Sequence, residues 1–169
     1  MKPAFRFSMV IAGLLISGMY TGAQAQKLFF VFAHGVYASP VQSDFKNNYS
    51  YGLGAEGGVG LGTGKTFFTG TVGYTFFNAR PEATGNLTYV PMKLGVRHYF
   101  LPGNLLYIHA DGGVANIKVK GGSSYSRLTG DVGAGAKLGP FDVGVAYEGF
   151  TGDDHASWLA FKVGWKFGL

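Results

Sequence analysis

The sequence predicts an all-β protein: one eight-stranded antiparallel up-and-down transmembrane β-barrel behind a cleaved signal peptide. Three observations predict it. The last stretch, Ala156 to Leu169, puts Leu159, Phe161, Val163, Trp165, Phe167 and Leu169 on one face and Ala160, Lys162, Gly164, Lys166 and Gly168 on the other, a period-two pattern with two unlike surroundings. Seven further runs alternate in the same way. Only 14 % of the residues are charged while 16 % are aromatic and 29 are glycine, whereas soluble domains carry about a quarter charged residues. A surface that meets lipid has no use for the missing charges.

The chain opens on Lys2 and Arg6, continues through the mostly apolar run Phe7 to Met19, and reaches the small-x-small site Ala23-Gln24-Ala25. These are the parts of a secretory signal peptide. The apolar run is too short to cross a bilayer as a helix. One domain is therefore expected, a barrel over 26–169, behind a signal peptide over 1–25. No cysteine occurs, so disulfides and thiolate metal sites are excluded. Removing Lys2 and Arg6 leaves twelve bases against nine acids, a net +3. That is too weak and too scattered for nucleic acid, which is not expected as a partner. After Ala25 no stretch of 18 apolar residues occurs, so membrane crossing falls to strands, whose alternation hides a span from a hydropathy window.

The eight runs lie near 28–39, 49–61, 66–77, 87–100, 104–117, 127–138, 141–150 and 156–168. Each suffices for a tilted span of about 9 to 11 residues. Leu28 to Phe32 is apolar on both faces, so the first run's orientation stays open. In the second, Leu53, Ala55, Val59 and Leu61 oppose Gly52, Gly54, Glu56, Gly58 and Gly60. In the fourth, Val90, Met92, Leu94 and Val96 oppose Lys93, Gly95 and Arg97. The fifth sets Leu106, Ile108, Ala110 and Val114 against His109, Asp111 and Gly113. The sixth sets Leu128, Val132, Ala134, Ala136 and Leu138 against Arg127, Asp131, Gly133, Gly135 and Lys137, and the seventh Phe141, Val143, Val145 and Tyr147 against Asp142, Gly144, Ala146 and Glu148.

Between the runs, Gly62 to Lys65, Leu101 to Asn104 and Gly139-Pro140 read as tight turns. The segments 40–48, 78–86, 118–126 and 151–155 read as longer polar loops. Long and short alternate strictly, giving four outer loops and three inner turns with both termini on the inner side.

The inward charges are five acids, Glu56, Asp111, Asp131, Asp142 and Glu148, and five bases, Lys93, Arg97, Lys137, Lys162 and Lys166. Eight strands enclose a space just wide enough for side chains, and buried charges must be paired. An ion-pair network closing the lumen is expected. The turn at Gly139-Pro140 sets Lys137 opposite Asp142, with Lys166 at similar depth, and Asp131 opposite Glu148. The second pairing requires a cation such as Lys162 between the carboxylates.

Other motifs weigh little. Gly52-Leu-Gly54-Ala-Glu-Gly57 spells a dinucleotide fingerprint but continues as strand, and Gly60 to Thr66 falls one residue short of a phosphate loop. His34, His98, His109 and His155 are too dispersed to suggest a metal site by spacing. His109 is expected in the lumen near Asp111 as a structural hydrogen-bond partner. No cofactor, metal or catalytic residue is expected.

The signal peptide, the eight runs, the segment Tyr89-Val-Pro-Met-Lys-Leu-Gly-Val-Arg-His-Tyr-Phe100 and the aromatic last strand together resemble the small OmpA/OmpX-like outer-membrane barrels of Gram-negative bacteria, over Lys27 to Leu169. That resemblance implies a non-enzymatic integral barrel of the cell outer membrane with a structural or surface-interaction role. It implies outer-membrane lipid, lipopolysaccharide and the outer-membrane assembly machinery as partners, and an extracellular ligand reached through the four outer loops. Where family members commonly end in Phe, here Phe167 is followed by Gly168 and Leu169. Three other readings stay open: a narrow pore, a soluble secreted barrel or sandwich with its apolar face inside, and a lipid-modifying enzyme. The last rests on His155-Ala156-Ser157, which resembles the His-x-Ser pair of the eight-stranded outer-membrane lipid A deacylases. No Asp or Glu follows Asp154 to serve as their acidic partner.

Overall fold

The computed structural model describes residues 28–81, 83, 85–100, 102–152 and 155–168; the segment 1–25, expected as a signal peptide, lies outside them. Eight strands form one closed antiparallel sheet in sequence order: β1 (Phe29–Pro40), β2 (Tyr49–Thr63), β3 (Thr66–Ala79), β4 (Leu87–Phe100), β5 (Leu106–Val119), β6 (Ser124–Leu138), β7 (Phe141–Phe150) and β8 (Ala156–Gly168). β1 closes on β8 along a ladder running from Phe30 opposite Gly168 to Pro40 opposite Trp158. Closure leaves no edge, so every strand's backbone is paired within the sheet, as a span through hydrocarbon demands. At the inner end, the β2–β3 and β6–β7 turns place Gly64 and Gly139 at φ +65°, a conformation that glycine adopts without steric cost.

Two connections differ from expectation. The segment 118–126 is not a long loop: β5 and β6 stay paired out to Lys118 opposite Ser124, so the third outer connection is a short turn. Alternating Ile117 and Tyr125 inward carries the strands beyond the polar stretch whose composition reads as loop. The segment 40–48 contains a short helix, α1 (Ser43–Asn48). Six residues are too few to be helical on propensity alone. α1 is held because its Phe45 is buried in the barrel mouth, against Tyr49, Phe77, Phe150 and Trp158.

The faces are those of a lipid-spanning barrel. Leu94, Trp165 and Phe161 are 76 %, 52 % and 46 % exposed, while Lys162, Arg97 and Asp131 are only 5 % to 6 % exposed. A soluble barrel or sandwich requires the reverse. Tyr37, Tyr51, Tyr74 and Tyr147 face outward in the outer halves of their strands, and Phe68, Phe100, Phe141, Trp165 and Phe167 face outward near the inner end. Two aromatic zones with aliphatic side chains between them match the girdles of a membrane barrel. In β1, Phe30, Phe32, His34, Val36 and Ala38 point inward and Ala33, Gly35 and Tyr37 outward. Two phenylalanines inside explain why hydrophobicity alone does not orient this strand.

Candidate functional site

The lumen is filled in three layers. At the inner end Phe30, Phe32, Phe67, Tyr99 and Tyr107 form an apolar cluster. At the outer end Phe45, Tyr49, Phe77, Tyr89, Phe150 and Trp158 pack with the smaller Val36, Ala38, Ala146 and Ala160. Between them lies a belt of ionisable side chains. Glycines make room for the rings: a Cβ on Gly58 would stand 2.6 Å from Phe32 Cζ, and one on Gly52 would stand 2.8 Å from Phe77. Large residues on one strand therefore face glycines on the next, the filling pattern of a narrow barrel.

The belt divides into linked groups. Glu56 accepts from Lys162 Nζ at 2.9 Å and lies 3.1 Å from His34 Nδ1. Lys93, from β4, donates to Asp131 and, at 2.6 Å, to Glu148, while Tyr89 donates to Glu148 at 3.0 Å. Arg97 donates to Asp142 at 2.9 Å and to the Tyr99 hydroxyl at 3.4 Å. Its guanidinium carbon sits 4.2 Å from the Tyr107 ring centroid. The Tyr107 hydroxyl donates to the other oxygen of Asp142, whose oxygen also faces His34 Nε2 at 3.7 Å. Asp111 takes a 2.8 Å hydrogen bond from Thr69, and His109 Nε2 lies 3.0 Å from Asp131 and 4.0 Å from Asp111. Lys166, nearer the inner end, donates to Tyr99 at 2.5 Å and stands 4.0 Å over the Phe30 ring.

Several of these contacts differ from the pairing read off the strands. Asp131 does stand opposite Glu148 and Lys137 opposite Asp142. The cation between Asp131 and Glu148, however, is Lys93 rather than Lys162, which remains 3.9 Å from Asp131 and bonds Glu56. Register alone names the neighbours on adjacent strands; Lys93 reaches from β4 to β6 and β7. Likewise the Asp142 carboxylate is met by Arg97, Tyr107 and His34, from β4, β5 and β1. Lys137 is half-buried near the inner end. The contributions of His34, Thr69, Tyr89 and the two aromatic layers carry no charge pattern, so a search for inward charges passes over them. Their even spacing with those charges is the signal that marks their face.

At the outer end, Gln42, Asp44, Phe45, Asn48, Tyr49, Tyr125, Phe150 and His155 surround a hollow of about 350 Å³. His155 and Ser157 lie at the rim, Ser157 opposite Gly149, and among the described residues no hydrogen bond joins their side chains. The backbone oxygen of Ser157 accepts from Val41 at 3.0 Å and ties the first loop to β8.

No protein-family model matches the sequence, and no curated protein matches it. Solved structures do match. The attachment invasion locus protein Ail of Yersinia pestis aligns over 83 % of this chain and 99 % of its own at 16 % identity, with a TM-score of 0.58. Neisserial surface protein A aligns over 82 % and 95 % at 15 % identity, TM-score 0.56. The outer membrane protein OprG of Pseudomonas aeruginosa aligns over 88 % and 99 % at 12 % identity, TM-score 0.53. Ail has also been solved in complex with the heparin analogue sucrose octasulfate. At these identities the likeness is one of fold: the eight-stranded barrel of small Gram-negative outer-membrane proteins.

Proposed function

We propose that this barrel is a non-enzymatic, non-conducting integral protein of the cell outer membrane, exported by the signal peptide at 1–25 and acting through its outer mouth. The filled lumen carries this reading. An inner layer of rings, a belt of hydrogen-bonded ions and an outer layer of rings follow one another with no open layer among the described residues. A narrow pore needs continuous polar space, and the two ring layers interrupt it. The apolar outer face contacts outer-membrane lipid and lipopolysaccharide, and the assembly machinery inserts the chain. What remains for recognition is the surface of the segments 40–48, 78–86, 118–126 and 151–155. Among them the hollow under α1, with aromatic walls and the polar side chains of Gln42, Asp44 and Asn48, falls in the lower size range of ligand pockets. The fold shared with Ail, a protein named for attachment, supports a surface-interaction role in the same coarse sense.

Planar-bilayer recording of the purified barrel tests the reading: no steady conductance is expected, and a large, stable open channel overturns it. The enzymatic alternative has its own check. Incubation with lipopolysaccharide is expected to release no acyl chain; release that Ser157→Ala abolishes would make the protein a lipid-modifying enzyme.

A further inference from the structure

Three carboxylates stand abreast in the lumen, because Asp111 is opposite Asp131 and Asp131 is opposite Glu148 across β5, β6 and β7. Like charges directly opposite destabilise a sheet, and burial makes the repulsion worse. Lys93 answers it on one side, bonding Asp131 and Glu148. On the other side stands His109, whose Nε2 is 4.0 Å from Asp111 and 3.0 Å from Asp131.

From these positions we infer that His109, Asp111 and Asp131 form a binding site for a divalent transition-metal ion inside the barrel. One ligand atom from each lies within 4.8 Å of the other two. Closing to the roughly 2.0–2.2 Å metal bonds that imidazole and carboxylate make needs only small side-chain rotations. Each carboxylate is held by one oxygen and presents the other: Thr69 fixes Asp111 Oδ1 and Lys93 fixes Asp131 Oδ2, which turns Asp111 Oδ2 and Asp131 Oδ1 toward His109 Nε2. Held carboxylates of this kind are what orient a metal site. Asp131 is only 5 % exposed, and its Oδ1, aimed at the centre of the three groups, makes no aligned hydrogen bond although His109 Nε2 stands 3.0 Å away. Orphaned buried oxygens are rare and point to something unbonded in the protein itself. Beside it, a cavity of about 10 Å³ is lined by Thr69, Thr71, His109, Asp111 and Asp131 and also by Glu56, Arg97 and Lys162, room for about one water molecule to complete the coordination. Gly133 makes the His109 position possible, since a Cβ there would stand 2.6 Å from the imidazole Cε1. A donor set of one imidazole and two carboxylates suits Zn²⁺, Mn²⁺, Fe²⁺ or Co²⁺ rather than a soft ion.

The two aromatic layers seal the belt, so the ion enters while the barrel folds. The test is to refold tag-free full-length barrel domain in detergent with Co²⁺ present, remove free metal, and read the metal content together with the visible bands of bound Co²⁺. Heat-modifiable migration on a gel reports folding. A single Co²⁺ per folded barrel is expected, lost in Asp111→Asn and in His109→Gln and kept in His34→Gln. Adding Co²⁺ only after folding is expected to load far less. Asp111→Asn removes a like charge and keeps shape, so it folds even where His109→Gln does not. Folded protein that retains no Co²⁺, or Asp111→Asn that retains as much as the parent, overturns the inference and leaves the His109 to Asp131 contact as a plain ion pair. Neither result bears on whether the barrel conducts.

Discussion

At the scale of the residue, Lys93 bridges two carboxylates of the belt. It is 3 % exposed and lies between two carboxylates that face each other across β6 and β7. Breaking a buried pair by removing one partner costs about 3–5 kcal/mol because the charge left behind has no counterion. Lys93→Met is therefore expected to lower the unfolding free energy in urea by about that much, and combining it with Asp131→Asn and Glu148→Gln to recover most of the loss. A single-variant loss below about 1 kcal/mol, the range of an exposed pair, would show that the belt is solvated. The glycines give a second residue-level prediction. Gly58 and Gly57 are adjacent in β2 but face opposite ways, and an added Cβ meets Phe32 Cζ at 2.6 Å from the first while nothing stands closer than 3.4 Å to the second. Gly58→Ala is expected to cost about 1–3 kcal/mol by overpacking, with Gly57→Ala close to neutral in the same denaturation experiment.

At the scale of the element, α1 shows how a segment too short to fold by itself is recruited. Its N-cap residue, Gln42, makes no side-chain capping bond, so local chemistry does little for it. Phe45 supplies the anchor, in edge contact with Phe77 at 5.1 Å and 5.8 Å from the Trp158 ring centroid. Phe45→Ala removes a buried ring, for which the usual cost is about 3–5 kcal/mol; the upper-end figure is not expected at a barrel mouth, where α1 can detach and water can enter. Hydrogen exchange is the sharper measurement: faster exchange is expected in α1 and the outer ends of β1, β2 and β8, with the belt and the inner turns unchanged. Exchange that rises uniformly along the strands would mean that α1 braces the whole barrel. The strands are legible because alternation survives along most of them, and α1 is not, since one apolar residue in six has no period.

At the scale of the whole molecule, the layers act in series, so opening one does not open the barrel. Phe45→Ala is accordingly expected to leave conductance at background in planar bilayers, with the ionic belt and the ring cluster of Phe30, Phe32, Phe67, Tyr99 and Tyr107 still in place. Strand number, the inside and outside faces of six strands and the inner turns could all be read from the chain. Composition and a period of two carry that information, because a membrane barrel has one apolar and one polar surrounding and each residue must choose. What the chain did not disclose was which charge meets which. Lys93 bonds residues 38 and 55 positions away and Lys162 one 106 away, separations that register on neighbouring strands does not encode. The orientation of β1 and the ring layers were hidden for a related reason: an inward Phe30 or Phe77 resembles an outward one in sequence, and only closure of the sheet decides that it faces another ring and a glycine rather than lipid. Alternation along each strand is enough to separate two environments; how the inner one is filled emerges only when the sheet closes, because contacts across a lumen depend on curvature and depth that no single strand contains.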